Sequence, residues 1–188
     1  MMDSRGQVFS GEFLLAYFIF LTVMILAVLL WHNTERDITE AETLRLLEEK
    51  SVEASEQLVR TRGVPADWSA SNVLSVGLAE ESRILSEDKI SEFTDLMSDA
   101  RYDSLCNDVA LSNYACSRHL LGLSGFDFAY ELNYLNDSPV TVYGKTAETG
   151  KQPVNQTRLI TVERTALLDN ETVRATLTVW YTSGEEHM

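Results

Sequence analysis

The chain has 188 residues, with 29 Asp or Glu against 15 Lys or Arg, so its formal net charge at pH 7 is -14. An acidic surface of this kind disfavours binding to nucleic acid or to anionic lipid headgroups, because both require a basic patch. The length is sufficient for one ordinary domain with its own hydrophobic core in addition to a membrane segment.

The first predicted element is a transmembrane helix over residues Phe13 to Trp31, which read FLLAYFIFLTVMILAVLLW. At about 1.5 Å per residue it spans roughly 28 Å, close to the hydrocarbon thickness of a bilayer. Aromatic side chains near both ends suit the two membrane interfaces. The alternative, a secretory signal peptide that is removed, is disfavoured because the following HNTERD contains no small-x-small cleavage site.

We expect the same helix to continue through residues 32–62 with one apolar stripe. No Gly or Pro interrupts residues 35–62, and apolar or small residues recur at steps of three and four. Gly63 and Pro65 then predict the helix end. A free-standing coiled-coil stalk is less consistent with the short, irregular stripe. The stripe consists of Ile38, Ala41, Leu44, Leu47, Ser51, Ala54, Ser55, Leu58 and Val59.

The segment before the membrane helix carries the most specific motif. Arg5, Gly6 and Gln7 are followed by Ser10 and by Glu12 at the edge of the apolar run. This arrangement resembles the class III, prepilin-type signal peptide of archaeal type IV pilin-like proteins. Compared with that pattern, the serine and the glutamate each lie one residue further from the glutamine.

The resemblance implies that a prepilin peptidase cuts on the cytoplasmic side, after Gly6 or, in a shifted register, after Gln7. It also implies that the apolar helix remains on the mature subunit and self-associates in a filament built by pilus assembly machinery. The implied division of the chain is a leader and cytoplasmic amino terminus (1–12), a transmembrane helix (13–31), an amphipathic continuation (32–62) and an extracellular head (63–188).

Glu12 is a candidate assembly residue on physical grounds as well. An ionisable group at the head of a lipid-embedded helix is costly unless it stays at the interface or finds a partner. A carboxylate at this position can pair with the amino terminus of a neighbouring subunit. It can equally lie in the headgroup layer and interact with the helix dipole. The sequence leaves both interpretations open.

Other features favour an extracellular head. Cys106 and Cys116 are the only cysteines, and in an exported domain such a pair suggests a disulfide, which would stabilise the fold by about 3 kcal/mol. Two buried free thiols are the alternative. Asn136, Asn155 and Asn170 each begin an N-x-S/T sequon, which permits glycosylation.

The remainder predicts an α+β fold in which the long helix packs on a small helical segment and an antiparallel sheet of about four strands. Ser86 is a plausible N-cap for a second helix. Asp169 and Asn170 indicate a hairpin turn between the last two strands. The further helix is expected over 112–121, the strands over 126–134, 140–143, 158–168 and 172–181, and a polar loop over 144–156.

Catalytic motifs are poorly supported. The three histidines, His32, His119 and His187, are scattered along the chain, and we predict no enzyme activity, metal site or cofactor. Two hypotheses follow. The first is a structural subunit of an archaeal cell-surface filament, anchored in the membrane before assembly. The second is an uncleaved single-pass anchor whose extracellular domain binds a partner; either way the membrane lipid is the first partner and nucleic acid is not one.

Overall fold

The structure is a computed structural model and describes residues 11–98, 113–153 and 158–181. Its helices are α1 (Gly11–Arg60), α2 (Glu87–Ser98) and α3 (Asn113–Leu120). Its strands are β1 (Ala79–Glu81), β2 (Ile84–Leu85), β3 (Phe126–Tyr134), β4 (Thr141–Val142), β5 (Lys145–Thr146), β6 (Glu148–Gly150), β7 (Leu159–Leu168) and β8 (Glu171–Tyr181). The chain divides into two compact units, Met1–Leu44 and Arg45–Met188, and we call the second the head.

Helix α1 confirms the prediction of one long amino-terminal helix. It runs without a break from Gly11 to Arg60, two residues short of the expected end. Nothing in this range removes a backbone donor or favours a left-handed backbone, so the i to i-4 hydrogen bonds continue. Gly63 has a φ of 77°, the left-handed conformation that commonly follows a helix.

The carboxyl-terminal part of α1 belongs to the core of the head. Leu47, Ala54, Leu58 and Val59 are buried with the other core residues, and Ser51 is buried as well. The Ser51 hydroxyl donates to the carbonyl oxygen of Leu47 at 2.6 Å, so its burial leaves no unpaired group. The first members of the predicted stripe, Ile38, Ala41 and Leu44, are exposed instead. Core packing therefore begins at Leu47.

The segment after α1 is held by Trp68. Its side chain is buried in the core, and its indole N–H donates to the carbonyl oxygen of Gly77 at 2.9 Å. A Cβ on Gly63 would approach the Trp68 ring to 2.5 Å, and a Cβ on Gly77 would lie 2.4 Å from the carbonyl oxygen of Thr61. Both glycines are therefore required for this close approach of backbone and ring.

Helices α2 and α3 match their predicted positions. Helix α2 begins one residue after Ser86 and buries Ile90, Phe93 and Leu96 on one face, as its periodicity predicts. The Phe93 ring lies 6.5 Å from the Phe128 ring in a stacked arrangement and 5.7 Å from the Tyr130 ring edge-on, measured between centroids. This aromatic group joins α2 to strand β3.

The head contains a six-stranded sheet in the order β1-β2-β7-β8-β3-β6. Neighbouring strands are antiparallel except β2 and β7, which pair in parallel at Ile84 and Leu167. The predicted hairpin joins β7 to β8 through Asp169 and Asn170, whose φ values of 48° and 66° are those of a type I′ turn. The predicted α+β class and the long strands are thus confirmed.

The sheet has more strands than the four expected. Strand β4 pairs with β5 in a separate two-stranded ribbon, and β6 pairs with β3 inside the region predicted to be a polar loop. These strands have only two or three residues and little apolar alternation. They are held by backbone hydrogen bonds to β3 and its neighbours, such as Leu132 N–H to the Ala147 carbonyl at 3.0 Å.

Candidate functional site

The amino-terminal part of α1 is the first candidate site. Residues Phe13–Glu35 are long and apolar enough to cross a membrane, and none of the window is buried within the structure. Phe18 and Trp31, for example, are 64% and 70% exposed. Side chains of this size and polarity are normally buried, so the segment requires a surrounding apolar phase or apolar partners.

Three polar side chains in this segment, those of Thr22, Trp31 and Thr34, donate hydrogen bonds within the helix itself. The Thr22 hydroxyl donates to the Phe18 carbonyl oxygen at 2.8 Å, and the Thr34 hydroxyl donates to the Leu30 carbonyl oxygen at 2.9 Å. The Trp31 indole N–H donates to a Glu35 carboxylate oxygen at 2.6 Å. These bonds satisfy the hydroxyl donors without water and place an amphipathic tryptophan near one end of the apolar window.

The predicted processing residues Gly6 and Gln7, and also Ser10, lie outside the described residues. Helix α1 begins at Gly11, so the predicted assembly residue Glu12 occupies its first turn. The side chain of Glu12 lies outside the described part of the structure. The first turn of a helix is the positive end of its dipole.

The head contains a buried charge cluster that the sequence pattern did not predict. Because Asp127 alternates with the aromatic residues Phe126 and Phe128 in the sequence, alternation predicts it on the solvent face of β3, yet its side chain is 5% exposed. One of its oxygens lies 3.2 Å from Arg118 Nη1 and 3.2 Å from Lys151 Nζ. Arg118 Nη1 also donates to the Phe126 carbonyl oxygen at 3.1 Å. A buried carboxylate that has two cationic partners is compensated for the loss of water.

Tyr114 completes this cluster. Its ring stacks on Phe128 with centroids 5.6 Å apart, and Lys151 Nζ lies 4.6 Å from the ring centroid. Its hydroxyl accepts the backbone N–H of Phe128 at 2.9 Å, and burial raises the pKa of this hydroxyl above its usual value. The contacts fasten α3 to β3 and to the chain after β6. The cluster is therefore a structural support rather than an open binding site.

Helix α3 also carries one of the two predicted disulfide residues. Cys116 lies in the middle of this helix, and both its side chain and that of its neighbour Ser117 are buried. Cys106, its predicted partner, lies outside the described residues, and the disulfide stays a prediction.

The predicted glycosylation sites lie in turns where they are described. Asn136 is exposed, and its side-chain oxygen accepts hydrogen bonds from the backbone N–H and the hydroxyl of Ser138 at 3.1 and 2.7 Å. Asn170 is exposed at the tip of the β7–β8 hairpin. Asn155 lies outside the described residues. Both described asparagines are reachable from solvent.

The histidines do not converge on a site in the described ranges. His119 is exposed on α3 and its Nδ1 lies 3.2 Å from the Ser124 hydroxyl. His32 lies within the apolar helix segment, and His187 is outside the described residues. Over residues 11–98, 113–153 and 158–181, no three His, Cys, Asp or Glu side chains are grouped so as to hold a metal ion.

A lysine near the start of α2 donates hydrogen bonds to two backbone carbonyl oxygens. Lys89 Nζ donates to the carbonyl oxygens of Arg62 and Ala79 at 2.7 and 3.0 Å. Burial, with a smaller contribution from the nearby Arg62 charge, lowers the pKa of Lys89. These bonds fix the end of α1 to the start of the sheet.

Comparison with known proteins gives no guide to function: no family model, no curated protein and no solved structure matches the chain.

Proposed function

We propose that the protein is a pilin-like structural subunit of an archaeal cell-surface filament, anchored in the membrane by its amino-terminal helix before assembly. One observation carries the proposal. A single helix, α1, supplies an exposed apolar segment long enough to cross a membrane and, further along, part of the core of an α+β head. The prepilin-type motif at Gly6, Gln7, Ser10 and Glu12 supports the same function.

The membrane is the first partner. The amino terminus stays in the cytoplasm, where a prepilin peptidase removes the leader after Gly6 or Gln7, and the head is outside the cell. Exposed Asn136 and Asn170 then meet the glycosylation machinery, and the Cys106–Cys116 disulfide forms in an oxidising environment. The heads are acidic, so the heads of neighbouring subunits repel each other and do not aggregate before assembly.

Assembly transfers the apolar helix from lipid to contacts with other copies of the chain. The exposed side chains of Phe13–Glu35 exchange one apolar environment for another, so the transfer has a small cost in hydration. Glu12 pairs with the new amino terminus of a neighbouring subunit and fixes the axial position of each helix.

Mass spectrometry of the native protein tests the processing step. Loss of the first six or seven residues is the expected result. An intact Met1 or Met2 contradicts the pilin function and favours the second candidate described below.

Replacing Glu12 by Gln tests the assembly step. We expect membrane insertion to be retained, because the amide is uncharged, and filament formation to be impaired, because the charge partner of the amino terminus is lost. Normal filaments from this variant rule out the pairing role of Glu12.

A second candidate function is an uncleaved single-pass anchor whose extracellular head binds a partner. It is favoured by one specific observation: Ser10 and Glu12 are each one residue further from Gln7 than in the family pattern. In that case the leader stays on the protein, and chemical crosslinking in native membranes yields monomers or small complexes rather than filaments.

A further inference from the structure

Two of the predicted glycosylation sequons lie at the same end of the sheet. Residues 136–138 form the turn that follows β3, and residues 170–172 lead from the β7–β8 turn into β8. Tyr134, the last residue of β3, pairs with Val173 of β8, so the two turns are neighbours. The acceptor asparagines of both sequons are exposed. An enzyme that reaches one of these turns can therefore reach the other, and any difference between the two sequons is local.

The side chains of the first sequon are bonded to each other. Asn136 Oδ1 accepts the backbone N–H of Ser138 at 3.1 Å and the Ser138 hydroxyl at 2.7 Å. A sequon is defined by its carboxamide and its hydroxyl, and here each of these groups is the partner of the other. Both bonds must be broken before an enzyme can bind the carboxamide and the hydroxyl.

The backbone and the middle residue fix the same turn. The Asp137 N–H donates to the Tyr134 carbonyl oxygen at 3.0 Å, and the Tyr134 N–H donates to the Ser138 carbonyl oxygen at 2.9 Å. Arg174 Nη2 donates to the Asp137 carboxylate. Pro139 directly follows Ser138 and restricts its backbone. The first sequon therefore cannot change its conformation without losing several contacts at once.

The second sequon has both of its defining groups free. Neither the Asn170 carboxamide nor the Thr172 hydroxyl has a hydrogen-bond partner among the residues that the structure describes. Asn170 is exposed in the turn, with a φ of 66°, and Thr172 is half-buried near the start of β8. The first buried residue after the sequon is Val173. An enzyme can therefore bind these two side chains at the surface without displacing the core.

We propose that a saccharide is attached to Asn170, and that Asn136 stays unmodified because its carboxamide is bonded within its own turn. The transfer forms a bond between Asn170 Nδ2 and the anomeric carbon of a lipid-linked oligosaccharide. It breaks the bond from that carbon to the lipid phosphate, and the amide releases one proton to a base of the transferase. The inference rests on the proposed function only in placing the head outside the cell, and it does not depend on cleavage of the leader.

Mass spectrometry of the native protein after digestion with trypsin tests the assignment. Cleavage after Lys and Arg places the predicted sequons in separate peptides, residues 119–145, 152–158 and 165–174. We expect the fraction of peptide 165–174 that carries saccharide to be about tenfold higher than that of peptide 119–145, because two neutral hydrogen bonds must first be broken at Asn136. An unmodified peptide 165–174 overturns the proposal, and so does similar occupancy of peptide 119–145.

Variants of Thr172 test the role of the free hydroxyl. Thr172→Val removes the hydroxyl and keeps a β-branched side chain that suits a strand, whereas the matched control Thr172→Ser keeps the hydroxyl. We expect the modified fraction of peptide 165–174 to fall about tenfold or more in the valine variant and to persist in the serine variant. Unchanged modification of the valine variant contradicts the assignment. If the valine variant does not fold, the peptide map of the unaltered protein decides.

The same native preparation separates this inference from the proposed function, because the amino terminus and Asn170 are read independently. A processed amino terminus together with an unmodified Asn170 contradicts the inference alone. An intact Met1 together with saccharide on Asn170 contradicts the pilin function and supports the inference, because the head is outside the cell in both candidate functions.

Discussion

The two parts of α1 use apolar residues in opposite ways. Over Phe13–Glu35 nearly every position is large and apolar, and the side chains are exposed all around the helix. From Leu47 to Val59 the apolar residues form one stripe that includes small residues, and this stripe is buried in the head. A helix that is apolar on every face requires a surrounding apolar medium, whereas a narrow stripe requires one packed neighbour.

The difference shows how one element can serve two environments. Ser51 and Ala54 have short side chains, so neighbouring core residues can approach the helix backbone closely. The apolar segment Phe13–Glu35 instead carries Phe18, Phe20 and Trp31, whose bulk is suited to lipid or to partner helices. We therefore expect the free energy of unfolding of the head to be insensitive to substitutions in Phe13–Glu35.

The largest expected effect is the loss of stability of the head when a residue of its core is replaced. Phe93→Ala removes a 1% exposed ring that contacts both Phe128 and Tyr130, and we expect the head to lose about 3–5 kcal/mol of stability. The matched variant Phe18→Ala should change it by less than about 0.5 kcal/mol. Denaturant unfolding monitored by near-ultraviolet circular dichroism measures both. Equal destabilisation by the two substitutions contradicts the separation.

The next effect concerns the buried charges of the head. Asp127→Ala leaves the 15% exposed Arg118 without its carboxylate, and we expect a loss of about 3 kcal/mol. Lys145→Ala removes the exposed partner of a surface ion pair with the half-buried Asp95, and it should cost less than about 1 kcal/mol. Thermal unfolding of both variants provides the comparison, and similar losses would show that burial of Asp127 is unimportant.

A substitution in the membrane segment should affect insertion and leave the head folded. Ile25→Arg places a charge near the middle of the apolar window, which costs about 3 kcal/mol on insertion, whereas Ile25→Leu is the neutral control. Carbonate extraction of membranes measures the inserted fraction. For the arginine variant we expect a lower inserted fraction and an unchanged resistance of the head to proteolysis. If the head also becomes sensitive to protease, the folding of the head depends on the apolar segment and the separation is contradicted.

The smallest effect is pH-dependent and confined to the head surface. The negative charge of Asp169 is the main cause of a raised pKa of Glu87. Because the folded-state pKa lies above the unfolded value, the associated stability is present at low pH and is lost as pH rises through the folded pKa. Asp169→Asn removes the repulsion, and asparagine tolerates the φ of 48°.

We therefore expect Asp169→Asn to raise the melting temperature slightly at pH 7 and to leave it unchanged at pH 3, where Glu87, whose pKa is raised, carries a proton and the repulsion is absent. Glu171→Gln, in the same hairpin, is the control for a general reduction in negative charge. A similar increase at both pH values, or the same increase in the control, would exclude the specific repulsion.

Long elements with a regular pattern were predictable from the sequence. Strand β3 has the predicted bounds Phe126–Tyr134, because its aromatic residues alternate with smaller or polar ones. Helix α2 follows from Ser86 and the spacing of Ile90 and Phe93. The β7–β8 turn was predictable because Asp169 and Asn170 tolerate a left-handed backbone.

Short elements and buried charges were not predictable. Strands β5 and β6 have few apolar residues. Strand β6 is a strand because it pairs with β3, and β5 is a strand because it pairs with the two-residue strand β4. Asp127 occupies a position that alternation assigns to solvent, and only the approach of Arg118 and Lys151 explains its burial. Neither contact has a local signal in the sequence.

By itself the sequence determined where the chain is helical, where it is extended and which segment is too apolar to be surrounded by water. These properties depend on neighbours within a few turns or one strand. The tertiary structure decided that the apolar stripe is buried only from Leu47 onward, that Asp127 is enclosed, and that β2 pairs in parallel with β7 at Leu167. The physical reason is that burial and backbone pairing are set by segments far apart in the chain, whose approach no local pattern encodes.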